Sequence, residues 1–353
     1  MQKIVTEINL QAIRDNAVAF KTQTGAKLCA VVKADAYGHG AETVAAALAG
    51  VADAFAVSLV EEGVAVRAGS CGKEILVLTP PTTAETAWTA IAYGLTLTVS
   101  DLWTAKLVDG VARRFGKPCQ VHLKVNTGMN RYGMNGSMLG KVCKYLAKSE
   151  WVQVYGIFSH LYTCDDGVCE TQRQRFARLV DVCRRYFPNV TAHLSATYGA
   201  TLPKKFAFDM VRVGLGLYGY FPDGANGAKK RFPPLRRAMK AYAEIACARK
   251  RSFGGVGYGA MTENKKNAGK EIAVLRVGYA DGTGYAETNG ATERETPIGN
   301  FCMDACFVKG QRQRGKRVLL FDDAQALAKK RNTIAYEVLC LTALRAERIY
   351  KNE

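Results

Sequence analysis

The sequence predicts an α/β protein in which a (β/α)8 barrel is followed by a second, mainly β domain. Eight β-branched apolar runs alternate with helical patterns over the first two thirds of the chain. The pattern changes near residue 222, and 353 residues suffice for two domains with their own cores. We place the barrel at residues 1–225 and the β domain at 226–353.

The eight apolar runs are predicted to be parallel strands, because each is nearly continuous in hydrophobicity, as in strands buried on both faces. They lie at residues 28–32, 54–59, 75–79, 95–99, 120–125, 152–158, 191–194 and 210–213. Helical spacing fills the segments between them, with Asp101 as an N-cap and Gly116 as a stop. A count of eight favours a barrel over the alternative, a doubly wound open sheet.

The C-terminal third begins with FPDGANGAKKRFPP, a Gly-, Pro- and Lys-rich stretch that we interpret as a linker. Beyond it, turn signals separate the β-rich stretches AYAEIACARK, EIAVLRVGYADG, CMDACFVKG and RVLLFDD. A helical pattern returns at residues 323–331.

Composition narrows the class of protein. Hydrophobic residues make up 48% and charged residues 23%, which is ordinary for a soluble globular protein. No apolar stretch approaches the roughly 18–20 residues that cross a bilayer, and the N-terminus lacks a signal-peptide core. We therefore expect a cytoplasmic protein with no membrane partner. The eleven cysteines and four histidines are not arranged at zinc spacing, which predicts reduced thiols and no metal site.

The net charge of +18 raises the question of nucleic-acid binding. The basic residues are, however, spread along the chain, and the densest runs lie in polar segments without interleaved aromatic residues. This distribution favours a solvated basic surface, and we expect no nucleic-acid partner.

The string AVVKADAYGHG, residues 30–40, is the most informative one for chemistry. Lys33 directly follows an apolar strand, which in a barrel places it at the C-terminal mouth, where active sites of this fold lie. A lysine in apolar surroundings loses proton affinity by desolvation, so it can form a Schiff base and act as a base. A surface lysine after a strand is the alternative that this string alone leaves open.

In a series of such strings the chain resembles the alanine racemase family almost from end to end. Besides AVVKADAYGHG, the strings in order are KVNTGMNRYG, GIFSH, HLSAT, RVGLGLYG, GYGA, RVGYADG, PIGNFCMD and NTIAYEVLC. The resemblance implies a pyridoxal-phosphate (PLP) enzyme that interconverts L- and D-alanine, built as a barrel with a C-terminal β domain. It also implies a homodimer with two composite active sites.

The resemblance further implies roles for individual residues. Lys33 corresponds to the Schiff-base lysine that serves one face of the substrate. Tyr258 corresponds to the catalytic tyrosine that serves the opposite face and comes from the partner subunit. Arg212 corresponds to the arginine facing the pyridine nitrogen, and His160 to its hydrogen-bonding histidine. A guanidinium has no proton to spare, so the ring nitrogen stays unprotonated.

For the cofactor phosphate, the resemblance implies contacts after the last barrel strands, from Thr197, Gly214 and Leu215, and a further contact from Tyr37. Tyr350 is also expected to bind the cofactor. One departure lies here. The family usually has His-x-Ala-Asn-Ser, whereas this chain has His193-Leu194-Ser195-Ala196-Thr197. The hydroxyl is kept at Thr197, and Ala196 replaces an asparagine, for which Ser195 is a candidate substitute.

For the substrate, the resemblance implies that Arg131 pairs with the carboxylate. Lys124 occupies the position of a lysine that is carbamylated in some members, and Asn126 stands where aspartate is more usual. Met303 and Asp304 correspond to partner-subunit residues beside the substrate. Tyr279 and Tyr350 correspond to tyrosines that narrow the entrance, so we expect a small substrate.

Alanine is accordingly the expected substrate, with serine or mixed alanine and serine specificity as the alternative. A non-catalytic PLP carrier is an alternative of another class, but such carriers lack a C-terminal β domain and any counterpart of Tyr258. A PLP-dependent decarboxylase of similar architecture is disfavoured by the order of the motifs and by the GYGA tyrosine.

Overall fold

The computed structural model describes residues 4–250, 255–258, 271–284, 292–295, 297–310 and 312–352. Two compact units are present. The first comprises residues 13–36 and 41–236, and the second comprises residues up to 12, residues 37–40 and residues from 237 onward. The break near residue 236 lies close to the predicted linker. No helix in the described part of the chain is long and apolar enough to span a membrane.

The chain starts with strand β1 (Ile4–Asn9) and helix α1 (Leu10–Thr24). The eight strands predicted for the barrel then follow, and the prediction is confirmed: β2 (Lys27–Val31), β3 (Ala54–Val57), β4 (Glu74–Val77), β5 (Leu97–Val99), β6 (Cys119–Lys124), β7 (Val152–Phe158), β8 (Thr191–His193) and β9 (Met210–Val213). Most of their residues are buried, which explains their continuous hydrophobicity.

All eight strands run parallel, in two four-stranded sheets ordered β4-β3-β2-β9 and β5-β6-β7-β8. A parallel bridge between Leu76 and Thr96 joins β4 to β5. On the opposite side, the Arg212 amide donates to the Ser195 carbonyl at 2.9 Å. The sheet therefore closes into a barrel, as the count of eight predicted.

Helical segments connect most of the strands: α2 (Lys33–Tyr37), which is a left-handed turn, α3 (Ala41–Leu48), α4 (Val60–Val66), α5 (Ala84–Ala92), α6 (Leu102–Phe115), α7 (Gly136–Leu146), α8 (Asp166–Arg184) and α9 (Ala228–Arg231). Asp101 caps α6 by accepting the amide of Thr104, and Gly116 ends it at φ +72°, as predicted. After β8 and β9 the connections are 3-10 turns, one of them at Leu215–Tyr218. The linker contains the short α9.

The second unit is built on one mixed sheet. Besides β1, its strands are β10 (Met239–Lys250), β11 (Glu271–Leu275), β12 (Cys306–Lys309), β13 (Arg317–Phe321) and β14 (Ala346–Lys351). Two helices, α10 (Ala324–Lys330) and α11 (Ala335–Ala343), lie between β13 and β14 in the chain. The strand order is β12-β11-β10-β1-β14, and β13 also pairs with β10. The N-terminal β1 is antiparallel to β10 and parallel to β14. The first strand of the chain thus belongs to the β-rich unit, which the sequence pattern did not predict.

Cysteines in both units are free thiols, and several are buried, among them Cys29, Cys143 and Cys306. The buried thiols pack as small hydrophobic side chains of the core.

Candidate functional site

The predicted site residues of the barrel unit lie at one end of the barrel. They stand at or just beyond the carboxyl ends of their strands: Lys33 after β2, Lys124 at the end of β6, His160 after β7, Thr197 after β8, and Arg212 and Gly214 at the end of β9. Parallel strands of a closed barrel end on the same face, so these side chains share the C-terminal mouth. The topology therefore brings together residues far apart in sequence.

Arg212 is buried, with only 3% of its surface exposed, and its guanidinium has several hydrogen-bond partners. Its Nη1 donates to the His193 carbonyl at 2.9 Å and faces Nδ1 of His193 at 2.8 Å. Its Nη2 donates to the carbonyls of Ser159 and Leu194 and lies 3.3 Å from Nδ1 of His160. The predicted contact between Arg212 and His160 is thus present in the structure, and His193 supplies a second one.

Several basic side chains act on His160, and Nη2 of Arg212 lies 3.3 Å from its Nδ1. Burial lowers the pKa of His160 well below its usual range, and the charges of Arg212, Lys124, Arg131 and Lys33 lower it further. The imidazole is therefore neutral and lies in the field of four basic side chains. Such an accumulation of positive charge at the mouth of a barrel suits a ligand that carries phosphate and carboxylate groups.

Lys124 is buried, with its Nζ 4.3 Å from the centre of the Phe158 ring. Burial, followed by the charges of Arg212 and Arg131, lowers its pKa well below the usual range for a lysine. An amine in this environment is readily uncharged, and the uncharged form is the nucleophile.

Arg131 lies on the loop between β6 and α7 and is exposed. The same loop contains Asn126, whose Oδ1 accepts the amides of Gly128 and Asn130 at 2.9 and 3.2 Å. Its Nδ2 also donates to Oδ1 of Asn130 at 2.7 Å. The Asn126 side chain thus stabilises the turn of this loop. Its Nδ2 donates a hydrogen bond that an aspartate at the same position could not donate.

The segment after Lys33 has an unusual backbone. Residues 34–37 have φ between 50° and 54°, a left-handed turn made without glycine. Such a conformation costs roughly 1–2 kcal/mol per residue and so requires support from its surroundings. Glu62 supplies support: it accepts the Ala34 amide at 2.7 Å and the amides of Ser58 and Leu59 at 2.7 and 3.0 Å. Asp35 in turn accepts the Ala41 amide at 2.7 Å.

At the ends of β8 and β9, Thr197 is buried and its Oγ1 accepts the amide of Gly216 at 3.1 Å. Gly214 and Leu215 open the 3-10 turn, where the first amides of a helical turn have no acceptor within it. Ser195 lies elsewhere: its hydroxyl donates to the Phe206 carbonyl at 2.7 Å and is fully buried. Its hydrogen is committed to that bond, so the structure does not support Ser195 as a substitute for the asparagine absent at Ala196.

In the second unit, three predicted residues have exposed side chains. Tyr258 is 59% exposed, Met303 54% and Tyr279 38%. The backbone of Tyr258 is bridged to Asn300, and the amide of Tyr279 donates to the Cys302 carbonyl at 3.1 Å. Gly259 and Ala260 of the GYGA string lie outside the described residues.

Asp304 belongs to the same segment, and its Oδ1 accepts Nη2 of Arg345 at 2.7 Å. Arg345 also donates from Nε to the buried Asp281 at 2.8 Å. The Asp304 carboxylate is therefore paired within its own unit.

Tyr37 and Tyr350 also belong to the second unit. Tyr37 is buried, and its ring is tilted against that of Tyr336 at 5.8 Å between centres. The hydroxyl of Tyr350 is pressed against Gly40: a Cβ on that glycine would lie 2.0 Å from it. Both tyrosines thus lie in or against residues 37–40, the short stretch that belongs to the second unit.

The sequence did not predict a role for Glu62, His122 or His193. Glu62 has a partial signal, since it occupies the N3 position of α4 and accepts the amide of the N-cap residue Leu59, whose side chain has no acceptor to complete a capping box. His122 stands two residues before Lys124, so both side chains point to the same face of β6. A histidine between two apolar residues, on the same strand face as Lys124, is the signal in that case.

Comparison with known families agrees with this arrangement. The model of the alanine racemase N-terminal domain matches residues 8–222, and that of the alanine racemase C-terminal domain matches residues 238–350. Among curated proteins, alanine racemase 2 of Caldanaerobacter subterraneus subsp. tengcongensis is 33% identical over 370 residues, covering 98% of this chain and 94% of the relative. The alanine racemase of Streptococcus pyogenes serotype M2 is 34% identical over 372 residues, covering 98% of both chains.

Solved structures give the same result. The alanine racemase of Clostridium difficile 630 superposes with a TM-score of 0.90 at 29% identity, covering 100% of this chain and 96% of that one. The enzyme from Bartonella henselae, solved with covalently bound pyridoxal phosphate, has a TM-score of 0.86 at 25% identity, with coverage of 99% and 100%. By both domain models and by relatives that are a third identical over almost the whole length, the chain belongs to the alanine racemase family.

Proposed function

We propose that this protein is a PLP-dependent racemase that interconverts L- and D-alanine. The observation that carries the proposal is the position of Lys33, Lys124 and Arg212 at the carboxyl ends of barrel strands, with Arg212 held 3.3 Å from His160. These basic side chains suit a ligand with a phosphate and a substrate with a carboxylate, and one of them is a lysine at the position for covalent attachment.

The donor set of the barrel fits PLP. The hydroxyl of Thr197 and the amides of Gly214 and Leu215 would hold its phosphate, and Lys33 would carry its aldehyde carbon. When bound, PLP supplies an electron sink that acidifies the α-hydrogen of an amino acid. The chain supplies binding, orientation and the proton acceptors and donors.

Two side chains would exchange the α-proton. A planar α-carbon changes configuration only if one group removes the proton from one face and another delivers a proton to the opposite face. Nζ of Lys33 serves one face, and Oη of Tyr258 from a second copy of the chain serves the other. The exposure of Tyr258, Tyr279 and Met303 supports this, since residues destined for a partner's site must be presented outward.

Arg212 would face the pyridine nitrogen. Burial lowers its pKa to about 10, which still leaves it a cation at neutral pH. Arg212 would therefore donate a hydrogen bond and no proton to that nitrogen, which would limit the charge that the ring withdraws from the α-carbon. This limit would favour racemisation over transamination and elimination.

Arg131 would pair with the substrate carboxylate, with Met303 and Asp304 of the second copy beside it. Lys124 is suited to carbamylation, because its lowered pKa favours the amine that adds carbon dioxide, and Arg131 and Arg212 would stabilise the resulting anion. Mass spectrometry of the intact protein at neutral pH, with Lys124→Ala as the blank, tests this addition. Tyr279 and Tyr350 would restrict the pocket to a small side chain.

The substrate assignment is tested by following optical activity with L-alanine, L-serine and L-lysine in parallel on the PLP-loaded protein. We expect alanine to racemise fastest, serine more slowly and lysine not measurably. Serine outpacing alanine would keep the mechanism and change the substrate. Release of carbon dioxide would point to a decarboxylase, and PLP binding without turnover would point to a carrier.

The composite site is tested by mixing two inactive variants, Lys33→Ala and Tyr258→Phe. In a homodimer whose sites draw on both chains, half of the randomly mixed dimers contain one intact site. About one quarter of the wild-type activity should then return. No recovery after confirmed subunit exchange would contradict the shared site.

A further inference from the structure

A chain of polar side chains crosses the interior of the barrel from Arg212 toward the opposite end. His193 on β8 and His122 on β6 are buried, and Nε2 of His193 lies 2.8 Å from Nδ1 of His122. Nε2 of His122 lies 3.0 Å from Oε1 of Glu74, the first residue of β4. We call Glu74, His122 and His193 the barrel relay.

The chemistry of arginine sets the direction of every proton in the barrel relay. Arg212 can only donate, so Nδ1 of His193 must be an acceptor and its Nε2 must carry the hydrogen. That hydrogen is donated to Nδ1 of His122, which leaves the hydrogen of His122 on Nε2. The last donor of the relay then faces the Glu74 carboxylate, which can only accept when ionised.

The electrostatics favour a neutral His193 and an ionised Glu74 at the two ends of the relay. Burial and then the charge of Arg212 lower the pKa of His193 well below its usual range, so its ring is neutral. Burial raises the pKa of Glu74, but contacts with His122, Thr96 and Lys27 outweigh it, and the net pKa is lowered. The hydrogen-bond partners of the Arg212 guanidinium described above are neutral groups, namely carbonyls and imidazoles. The carboxylate of the relay is that of Glu74, at its far end.

The contact between His122 and Glu74 is close but not aligned as a hydrogen bond with good angles. The terminal torsion of a glutamate is broad, so the carboxylate can rotate toward Nε2 of His122. The Glu74 side chain is 26% exposed and faces an open cavity of about 560 Å³, also lined by Arg67, Lys73 and Lys117. The relay thus links the amino-terminal end of the barrel to the residue at its mouth.

We propose that Glu74 is a positioning residue for Arg212, acting through His122 and His193 by accepting the last hydrogen of the barrel relay. In the absence of an acceptor at Glu74, the buried Nε2–H of His122 would be unsatisfied, and the ring would turn or change tautomer. His193 would then lose its acceptor, and Arg212 would lose a fixed partner. The kinetic consequence rests on the proposed racemase function, whereas the structural consequence does not.

The direct test is nitrogen NMR of the PLP-loaded, full-length protein labelled with 15N at histidine. The chain has four histidines, so four pairs of ring signals are expected, and their shifts report the tautomers. In the wild type, His122 and His193 should both carry hydrogen on Nε2. In Glu74→Leu the His122 signals should leave that tautomer and those of His193 should shift, with kcat reduced about ten-fold and KM nearly unchanged.

Glu74→Gln is the conservative variant, because its amide oxygen still accepts a hydrogen bond. It should keep both tautomers and retain kcat within about three-fold. Glu61→Gln, at an exposed glutamate at the start of α4, is the matched control and should change nothing. If Glu74→Leu does not fold, His122→Leu interrupts the relay from inside and should shift the His193 signals in the same way.

Unchanged histidine signals and kcat in Glu74→Leu would overturn the proposal, and so would a Glu74→Gln variant that behaves like Glu74→Leu. Failure of the proposed function is a separate result. If the wild type racemises no amino acid, that function is wrong, while the ring signals still decide the role of Glu74.

Discussion

Nη1 of Arg212 lies 2.8 Å from Nδ1 of His193, and both side chains are buried. Because the guanidinium only donates, this contact holds His193 in one tautomer and holds the arginine in one orientation. The guanidinium is further bound by three backbone carbonyls, from Ser159, His193 and Leu194. Five donors in a rigid fork match such a set of acceptors, and an ammonium group does not.

Arg212→Lys should therefore be strongly destabilising despite the retained charge. The shorter point charge leaves buried carbonyls and His193 without donors, and we expect a loss of about 2–4 kcal/mol in the free energy of unfolding. Urea unfolding measures this loss, with the exposed Arg185→Lys as the matched control. Wild-type stability in Arg212→Lys would show that the fork geometry is not needed.

Glu62→Gln should weaken the left-handed turn after Lys33. Both carboxylate oxygens accept backbone amides, so an amide NH2 in place of either oxygen would face a donor. We expect a loss of about 1–3 kcal/mol in unfolding free energy and a slower racemisation rate. Glu61→Gln, the adjacent exposed residue, should be neutral in both measurements; equal effects at the two positions would contradict this role for Glu62.

Gly40→Ala should disturb Tyr350. Gly40 has φ +87°, and an added Cβ would lie 2.0 Å from the tyrosine hydroxyl, so both backbone and side chain must move. A cost of about 1–3 kcal/mol is expected from thermal or urea unfolding. At Gly50 nothing lies within 4 Å of an added Cβ, so Gly50→Ala should be within about 0.5 kcal/mol of the wild type. A well-tolerated Gly40→Ala would show that Tyr350 is not held against this segment.

Stability should fall as the pH is lowered below about 6.5, the pKa of an unfolded histidine. The folded-state pKa of His193 is lowered, chiefly by burial. Between the two pKa values the unfolded chain binds a proton that the folded chain does not, so unfolding becomes easier as pH falls. The contribution approaches about 1.4 kcal/mol per pH unit.

Urea midpoints at pH 7.5, 6.5 and 5.5 measure this dependence. His193→Gln should be less stable than the wild type at pH 7.5 but should show a shallower slope between pH 6.5 and 5.5. A wild-type midpoint that does not change over this range would contradict the burial of a neutral His193.

Much of the barrel was predictable because buried parallel strands carry a continuous apolar signal, which all eight runs show. The strands that pair with β1 could not be predicted from the sequence pattern, because its pairing with β10 and β14 joins segments separated by most of the chain. The left-handed turn at residues 34–37 contains no glycine, and its support from Glu62 is a tertiary contact. Likewise, Lys33 and Arg212 could be predicted as site residues from the motifs that contain them. The role of His122 could not, because it depends on which strands the barrel places opposite each other.

The central claim is that Lys33 carries the chemistry of an alanine racemase. The most direct test is to supply the purified protein and Lys33→Ala with PLP, add L-alanine, and follow the loss of optical activity. The account predicts racemisation to an equal mixture by the wild type and none above background by Lys33→Ala, with both proteins folded. An active Lys33→Ala variant, or a wild type that binds PLP and leaves L-alanine unchanged, would contradict it.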